Sequence, residues 1–209
     1  MADDGFGVIA SSLDTPLLVV TAAEGREQAG CLVGFHSQSS IDPLRYCVWL
    51  SKANHTYRVA QRSTHLGIHF LTEADLPLAE RFGTLTGDRT DKFARLRTSP
   101  GPGGVPLLAD CPHRLAARRT TLVDEGGDHV CVMTEPVDAH GGRPFRPLRL
   151  SQAAHLEPGH PSGERPSPPT ERAAHGSTRP GRSGHGGRPP SRLHDRHTGI
   201  PRRRGTNRP

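Results

Sequence analysis

The sequence contains no apolar run long enough to cross a membrane. Across 209 residues, no stretch approaches the roughly 20 consecutive apolar residues of a spanning helix. The acidic start Met1-Ala2-Asp3-Asp4 is not followed by the apolar segment of a secretory signal. We therefore expect a soluble, cytoplasmic protein without a membrane partner.

Closely spaced cysteines are also missing. Cys31, Cys47, Cys111 and Cys131 include no C-x-x-C pair, and three of them lie inside apolar runs. This pattern favours buried free thiols in a reducing compartment over disulfides or a thiolate metal site.

Metal-binding histidine patterns are lacking as well. The sequence has no H-E-x-x-H motif, and before residue 150 only His65 and His69 stand four residues apart. His69 falls in a predicted strand, where four residues of extended chain cover about 13 Å. One ion cannot bridge that distance, so we predict no metal site.

Positive charge is scarce in the first 150 residues and concentrated after them. Residues 1–150 carry 16 Lys and Arg against 17 Asp and Glu, whereas residues 151–209 carry 11 against 4. The formal net charge of +6 therefore comes from the C-terminal part. Residues 161–209 contain no aromatic side chain to stack on bases, so we expect no specific nucleic-acid binding.

Large aliphatic side chains are nearly absent from residues 161–209, where Leu193 and Ile200 are the only ones. Such a segment buries too little apolar surface to offset its chain entropy. We predict a folded domain over residues 6–155 and a disordered tail rich in Arg, Pro, Gly and His over residues 161–209. The tail composition also fits a shifted reading frame, and both origins stay open.

The first 150 residues contain short apolar segments that are separated by Gly, Pro and Asp turns. They predict a mainly β fold with strands over 16–21, 30–35, 44–50, 66–71, 114–123 and 129–137. Two helices are expected, one from Asn54 or Thr56 to Thr64, and one from Thr72 through Phe82. A closed barrel is expected because closure removes exposed strand edges.

Three polar segments could bind a ligand. The first is a predicted loop that offers hydroxyl and amide groups to a flat polar ligand or a phosphate, and it consists of Ser37, Gln38, Ser39 and Ser40. Lys52, Asn54 and Thr56 cluster at a predicted helix N-terminus, which suits a phosphate but also fits an ordinary capped helix. Gly126-Gly127-Asp128-His129 forms a predicted hairpin tip, which by itself fits a tight turn.

Taken in order along the chain, these segments and Asp91-Lys92-Phe93 resemble the flavin reductase family, which has an FMN-binding split barrel of Greek-key type. The resemblance implies a homodimer with FMN in a groove near the subunit interface. It implies His129 as the catalytic candidate, near the isoalloxazine or the nicotinamide. The flavin contacts it implies are Ser37, Gln38, Ser39, Ser40, Lys52, Asn54, Thr56, Lys92 and Asp128.

The activity that this resemblance implies is NAD(P)H-dependent flavin reduction. NADH or NADPH would pass a hydride to FMN, with FAD or riboflavin as other acceptors, and a partner monooxygenase would receive the reduced flavin. The alternative is a flavin-binding split-barrel protein, oxidase-like or non-catalytic, whose basic tail binds acidic partners.

Overall fold

The computed structural model describes residues 2–141 and 143–159. The disorder expected for residues 161–209 lies outside this range, and the domain limits of 6 and 155 stay a prediction. None of the helices in the described ranges is long and apolar enough to cross a membrane.

The described residues form nine strands and three α-helices, joined by short 3-10 turns. In chain order they are α1 Ala2–Ser12, β1 Leu18–Glu24, β2 Glu27–Val33, β3 His36–Ser40, β4 Arg45–Ser51, α2 His55–Ala60, β5 His65–Phe70, α3 Leu76–Thr84, β6 Thr98–Pro100, β7 Pro106–Leu108, β8 Arg114–Val123 and β9 His129–His140.

Seven strands build one antiparallel sheet in the order β2-β1-β5-β8-β9-β4-β3. The two edge strands, β2 and β3, are consecutive in the chain and are joined only by Gly34 and Phe35. The three residue steps from Val33 to His36 span no more than about 11 Å, so the sheet must curl until these ends of its two edges lie close together. The expected mainly β fold with flanking helices is confirmed. In the described part of the chain, no hydrogen-bonded ladder closes the seam between β2 and β3.

The core lies inside this curled sheet. Alternate residues of the strands point inward and are fully buried, among them Leu18, Val20, Val48 and Ile68. Burying one such side chain contributes about 1.5–3 kcal/mol relative to leaving it exposed. A second apolar layer outside the sheet is formed where Phe82 of α3 packs with Val19 and Leu71.

One loop prediction was wrong, because residues 37–40 form most of strand β3, which pairs with β4. Residues 98–100 form β6, which pairs with β7. In β3 the side chains of Ser37, Gln38 and Ser39 are exposed, so the strand lacks the apolar alternation that identifies a half-buried strand. Its pairing with β4 satisfies the backbone instead.

Both predicted helices occur, with adjusted limits. Asn54 caps α2, which ends at Ala60 rather than Thr64. Asp75 accepts hydrogen bonds from the backbone N and hydroxyl of Thr72 at 2.8 and 2.7 Å, which forms a capping box before the second helix. The first residues form a 3-10 turn, and α3 begins at Leu76 with Pro77 in its first turn, where a proline lacks no required donor.

Candidate functional site

A cavity of about 310 Å³ lies along the seam of the sheet. We call it the seam cavity. Its lining comes from both sides of the seam, from the N-cap of α2, from the start of β9 and from two segments that flank the sheet. The lining residues are Thr15, Leu17, Cys31, Leu32, Val33, Gly34, Phe35, Trp49, Leu50, Ser51, Asn54, Asp128, His129, Leu150 and Pro158. Mostly apolar walls with a few polar groups are typical of a site for a flat organic ligand.

The polar groups of the seam cavity are brought together by two pairings of the backbone. Ser51 of β4 lies opposite His129 of β9, and the backbone N of Lys52 donates to the carbonyl of Asp128 at 2.8 Å. The chain then turns into α2, where the Oδ1 of Asn54 accepts from the backbone N of Thr56 at 2.9 Å. Asn54, Asp128 and His129 therefore line one cavity.

His129 lies half-buried beside an exposed carboxylate. Its Nδ1 is 2.9 Å from Oδ1 of Asp128, and this hydrogen bond lowers the pKa of the Asp128 carboxyl. When Nδ1 donates in the neutral ring, the lone pair is left on Nε2. The ring also meets Phe35 edge-on, with centroids 5.3 Å apart, so its plane is set by two neighbours.

Lys52 and Thr56 lie behind these residues rather than in the cavity lining. The Nζ of Lys52 contacts Oδ1 of Asp124 at 2.7 Å, and the same oxygen accepts from the backbone N of Gly126 at 2.9 Å. Lys52 thereby holds the hairpin that carries Asp128, and its hydrogen bond lowers the pKa of Asp124. Thr56 is buried within α2.

Lys92 lies in a second cavity, of about 540 Å³, between the β1–β2 turn, the start of α2 and residues 87–93. Only 5% of Lys92 is exposed, and its Nζ donates to the carbonyls of Gly30 at 3.1 Å and Phe82 at 3.0 Å. It forms no ion pair with any residue that the structure describes, and burial lowers its pKa. Gly30 and His55 line this cavity, and their chain neighbours Cys31 and Asn54 line the seam cavity, so the two cavities are adjacent.

The four polar residues of β3 lie elsewhere. Ser37 donates to the carbonyl of Gln38 at 3.0 Å, and the Gln38 amide donates to the carbonyl of Ser40 at 3.1 Å. Gln38, Ser39 and Ser40 border a shallow depression that does not include the seam cavity. Within one copy of the chain, the structure does not bring these residues to Asn54 and His129.

Sequence reasoning missed the apolar walls of the seam cavity. Leu32, Phe35 and Trp49 lie in the predicted strands that lead into candidate binding segments, so their strand positions could have indicated them. Leu150 and Pro158 have no such local signal, because they reach the cavity through distant contacts such as the 2.7 Å hydrogen bond from the backbone N of Leu17 to the carbonyl of Leu148.

No group of three or more His, Cys, Asp or Glu side chains arranged to hold a metal ion occurs in residues 2–141 or 143–159. His69, the residue weighed as a metal ligand with His65, is instead fully buried and bonded to the backbone of β1 and β7.

A family model described as "Flavin reductase like domain" matches residues 10–153. The match begins inside α1 and ends in the 3-10 turn Leu150–Ala153. It therefore includes all seven strands of the sheet and every lining residue of the seam cavity except Pro158.

Two curated relatives are similar in sequence. High molecular weight rubredoxin of Moorella thermoacetica is 32% identical over 122 residues, which cover 56% of this chain and 52% of that protein. NADH:riboflavin 5'-phosphate oxidoreductase of Streptomyces pristinaespiralis is 30% identical over 143 residues, which cover 67% of this chain and 78% of the relative. The chain thus spans about half of the first relative and most of the second.

The structure also resembles solved structures at lower identity. Nitrilotriacetate monooxygenase component B from Mycobacterium thermoresistibile superposes with a TM-score of 0.60 at 19% identity, covering 71% of this chain and 80% of that chain. At this identity the likeness shows a shared fold.

Proposed function

The chain belongs to the flavin reductase-like domain family, whose model covers residues 10–153, and from this we propose that it is an NAD(P)H-dependent flavin reductase. It transfers a hydride from NADH or NADPH to FMN, with FAD or riboflavin as other acceptors. The observation that carries the proposal is the seam cavity, where apolar walls end in Asn54, Asp128 and His129. The name of the Streptomyces relative, an NADH:riboflavin 5'-phosphate oxidoreductase, supports it.

The residues of the two adjacent cavities suit a flavin mononucleotide. Leu32, Val33 and Trp49 provide apolar walls for a ring system. Lys92, whose Nζ donates to two backbone carbonyls in the adjacent cavity, is the proposed cation for the phosphate. The bound flavin would supply the hydride-accepting ring, and the protein supplies binding and orientation.

His129 is the proposed catalytic residue. Its hydrogen bond to Asp128 and its edge contact with Phe35 fix the ring, so Nε2 can donate to or accept from a ring edge bound in the seam cavity. Asn54 is proposed to bind the polar side of the flavin at the start of α2. Lys52, through its contact with Asp124, and Thr56, buried within α2, are proposed to position this segment. Contacts from Ser37, Gln38, Ser39 and Ser40 to this cavity would have to come from a second subunit.

A homodimer is part of the proposal. Val48 and Leu50 of β4 point into the core, so Trp49 points to the outer face of the sheet, where Cys131 lies opposite it in β9. Met133, on the same face, is also only partly buried. An outer face of Trp, Met and Cys side chains is more apolar than a solvated surface and is typical of a subunit interface.

Delivery of reduced flavin to a partner monooxygenase is the further part of the proposal. A protein named as a monooxygenase component shares the fold. A reductase that passes reduced flavin to a separate monooxygenase needs a site that is open enough to exchange flavin. The seam cavity fits this requirement because it lies at the surface of the curled sheet.

Nicotinamide oxidation by the purified protein tests the activity. NADH and NADPH are each supplied with FMN, FAD, riboflavin or no flavin, and absorbance is followed. We expect turnover that depends on flavin, and we expect His129→Gln to lower it about 10- to 100-fold because the ring edge loses its oriented partner. His140→Gln, at the exposed far end of β9, is the matched control. Retained flavin without turnover would favour a non-catalytic flavin-binding protein, and equal activity of both variants would remove His129 from the mechanism.

A further inference from the structure

His36, the first residue of β3, bridges two separate segments of the chain. Its Nε2 lies 2.9 Å from the carbonyl oxygen of Pro16, and its Nδ1 lies 2.6 Å from the hydroxyl oxygen of Tyr46. A carbonyl oxygen can only accept, so Nε2 must donate to Pro16 and Nδ1 must accept from Tyr46. One neutral form of the imidazole therefore satisfies both contacts.

Burial keeps both partners of this bridge uncharged at neutral pH. It lowers the pKa of His36 and raises the pKa of Tyr46 to about 12. The Tyr46 ring stacks on the His36 ring with centroids 5.9 Å apart, and Phe70 meets the Tyr46 ring edge-on at 5.5 Å. Two hydrogen bonds and this aromatic packing leave the imidazole little freedom to turn.

Pro16, at one end of the bridge, lies between two residues of the seam-cavity lining, Thr15 and Leu17. The backbone N of Leu17 donates to the carbonyl of Leu148 at 2.7 Å, and the carbonyl of Thr15 accepts from the backbone N of Leu150 at 3.0 Å. A contact to the Pro16 carbonyl therefore acts on a wall that consists of residues 15–17 and the segment paired with them.

The turn directly before His36 forms another part of the same lining. It consists of Gly34 and Phe35, and we call it the seam turn. The Phe35 carbonyl accepts from the backbone N of Trp49 at 2.9 Å, and the Phe35 ring meets the ring of His129 edge-on. Through its two nitrogens, His36 connects the end of the seam turn both to the segment before β1 and to β4.

We propose that His36 is a positioning residue of the seam cavity, which holds the seam turn against residues 15–17 and so sets the separation of two cavity walls. His36 acts through these walls, because it is not itself one of the lining residues. The identity of the ligand as a flavin rests on the proposed function, whereas the ordering of the walls does not.

The two tyrosines of the sequence provide a matched pair of variants. Tyr46→Phe removes only the hydroxyl that contacts His36. Tyr57→Phe, the control, removes a hydroxyl that accepts from the side-chain amide of Gln61 at 2.9 Å in an exposed contact of α2. His36→Phe keeps an aromatic ring without the two nitrogens, and its combination with Tyr46→Phe completes a double-mutant cycle.

All variants are measured well below their unfolding midpoints. Acrylamide quenching of Trp49, the only tryptophan of the sequence, reports without any ligand how well the walls shield the cavity. Titration with FMN gives a dissociation constant, and turnover with NADH gives kcat.

We expect Tyr46→Phe to raise the quenching constant about twofold and the FMN dissociation constant about three- to tenfold, because one lost hydrogen bond loosens the walls. The kcat should stay within about twofold, since Asp128 and His129 keep their places beside β4. Tyr57→Phe should match wild type. In the His36→Phe background, Tyr46→Phe should weaken FMN binding no further.

Two results would overturn the positioning role. One is a Tyr46→Phe protein whose quenching and FMN affinity equal those of Tyr57→Phe. The other is a lower thermal midpoint of Tyr46→Phe with both readouts unchanged, because His36 would then only stabilise the fold. A wild type that binds no FMN, or binds it without reducing it, would refute the proposed function instead, and the quenching of Trp49 in the same variants would still decide the role of His36.

Discussion

At the scale of single residues, His69 shows how burial fixes a protonation state. The ring is fully buried in β5, with Nδ1 3.2 Å from the carbonyl of Val19 and Nε2 accepting from the backbone N of Leu108 at 3.0 Å. The neutral ring with its proton on Nδ1 satisfies both contacts. Burial lowers the pKa of His69 to about 4, since a charged ring would lose its solvation and could not accept from Leu108.

This arrangement predicts a pH-dependent stability. In the unfolded chain the pKa of His69 lies near 6.5, so below that pH the unfolded state takes up a proton that the folded state refuses until about pH 4. The contribution of the neutral His69 ring to the free energy of unfolding is fully present above pH 6.5. It falls by about 3 kcal/mol in total as the pH drops from 6.5 through about 4. Urea unfolding of wild type and His69→Gln at several pH values measures it.

The comparison between these two proteins isolates His69 from the other groups that titrate in acid. We expect the free energy of unfolding of His69→Gln to be lower at pH 7.5, because its amide cannot reproduce both ring contacts, and to depend less steeply on pH. Replacing the exposed His140 by Gln should leave the steep profile of wild type in place. Parallel profiles for wild type and His69→Gln would show that His69 is not the source of the pH dependence.

At the scale of secondary-structure elements, the packing of β5 against β1 depends on the absence of a side chain at Gly67. A Cβ at this position would lie 2.4 Å from Oγ1 of Thr21, 2.9 Å from the ring of His69 and 3.2 Å from Leu107. The Thr21 hydroxyl is itself held by the carbonyl of Pro106 at 2.7 Å, so it cannot simply rotate away.

We therefore expect Gly67→Ala to destabilise the fold by about 1–3 kcal/mol through overpacking. Gly127→Ala is the matched control, because nothing lies within 4 Å of a Cβ there and its backbone has no positive φ. Thermal and urea unfolding at pH 7.5 would measure both. A Gly67→Ala protein as stable as Gly127→Ala would mean that β1 and β5 can separate at little cost.

The elements that the sequence predicted are those that combine apolar side chains with recognisable turn residues at their ends. Strand β8 was expected over 114–123 and is found there, and β9 begins at His129 as expected because a Gly-rich turn precedes it. Strand β3 was mistaken for a loop because its exposed edge position permits Ser and Gln at successive residues. Helix α1 was not predicted, since its two glycines weaken any local helical signal.

At the scale of the whole molecule, the candidate site exists because the strand order brings the two edges of one sheet together. The family resemblance singled out Asn54, Asp128 and His129 as candidates, and each lies at the end of an element, where turn residues are recognisable. The sequence could not show that β2 and β3 form the two edges of one sheet, which is what places Gly34 and Phe35 at a seam. Pro158 and Leu150 join the site only once the sheet has curled, so no local pattern indicates them.

A second question at this scale is which activity of the protein residues 161–209 contribute to. The described chain stays in contact with the domain as far as Gly159, whose backbone N donates to the carbonyl of Gly83 in α3 at 3.1 Å, and the last lining residue of the seam cavity is Pro158. The basic excess, 11 Arg against 4 Asp and Glu in residues 151–209, lies almost entirely beyond that point. Flavin chemistry and polyanion binding should therefore be separable in one truncation.

We expect a protein that ends at His160 to keep its thermal midpoint and its flavin-dependent oxidation of NADH within about twofold, because every described contact of the site is retained. Retention on a polyanionic resin should drop to that expected of a near-neutral domain, since the charges that release counter-ions are gone. The full-length protein, eluted with a salt gradient from the same resin, is the reference. If the truncated protein instead lost flavin reduction while remaining folded, the functional unit would extend into the basic segment, and the predicted boundary between domain and tail would be wrong.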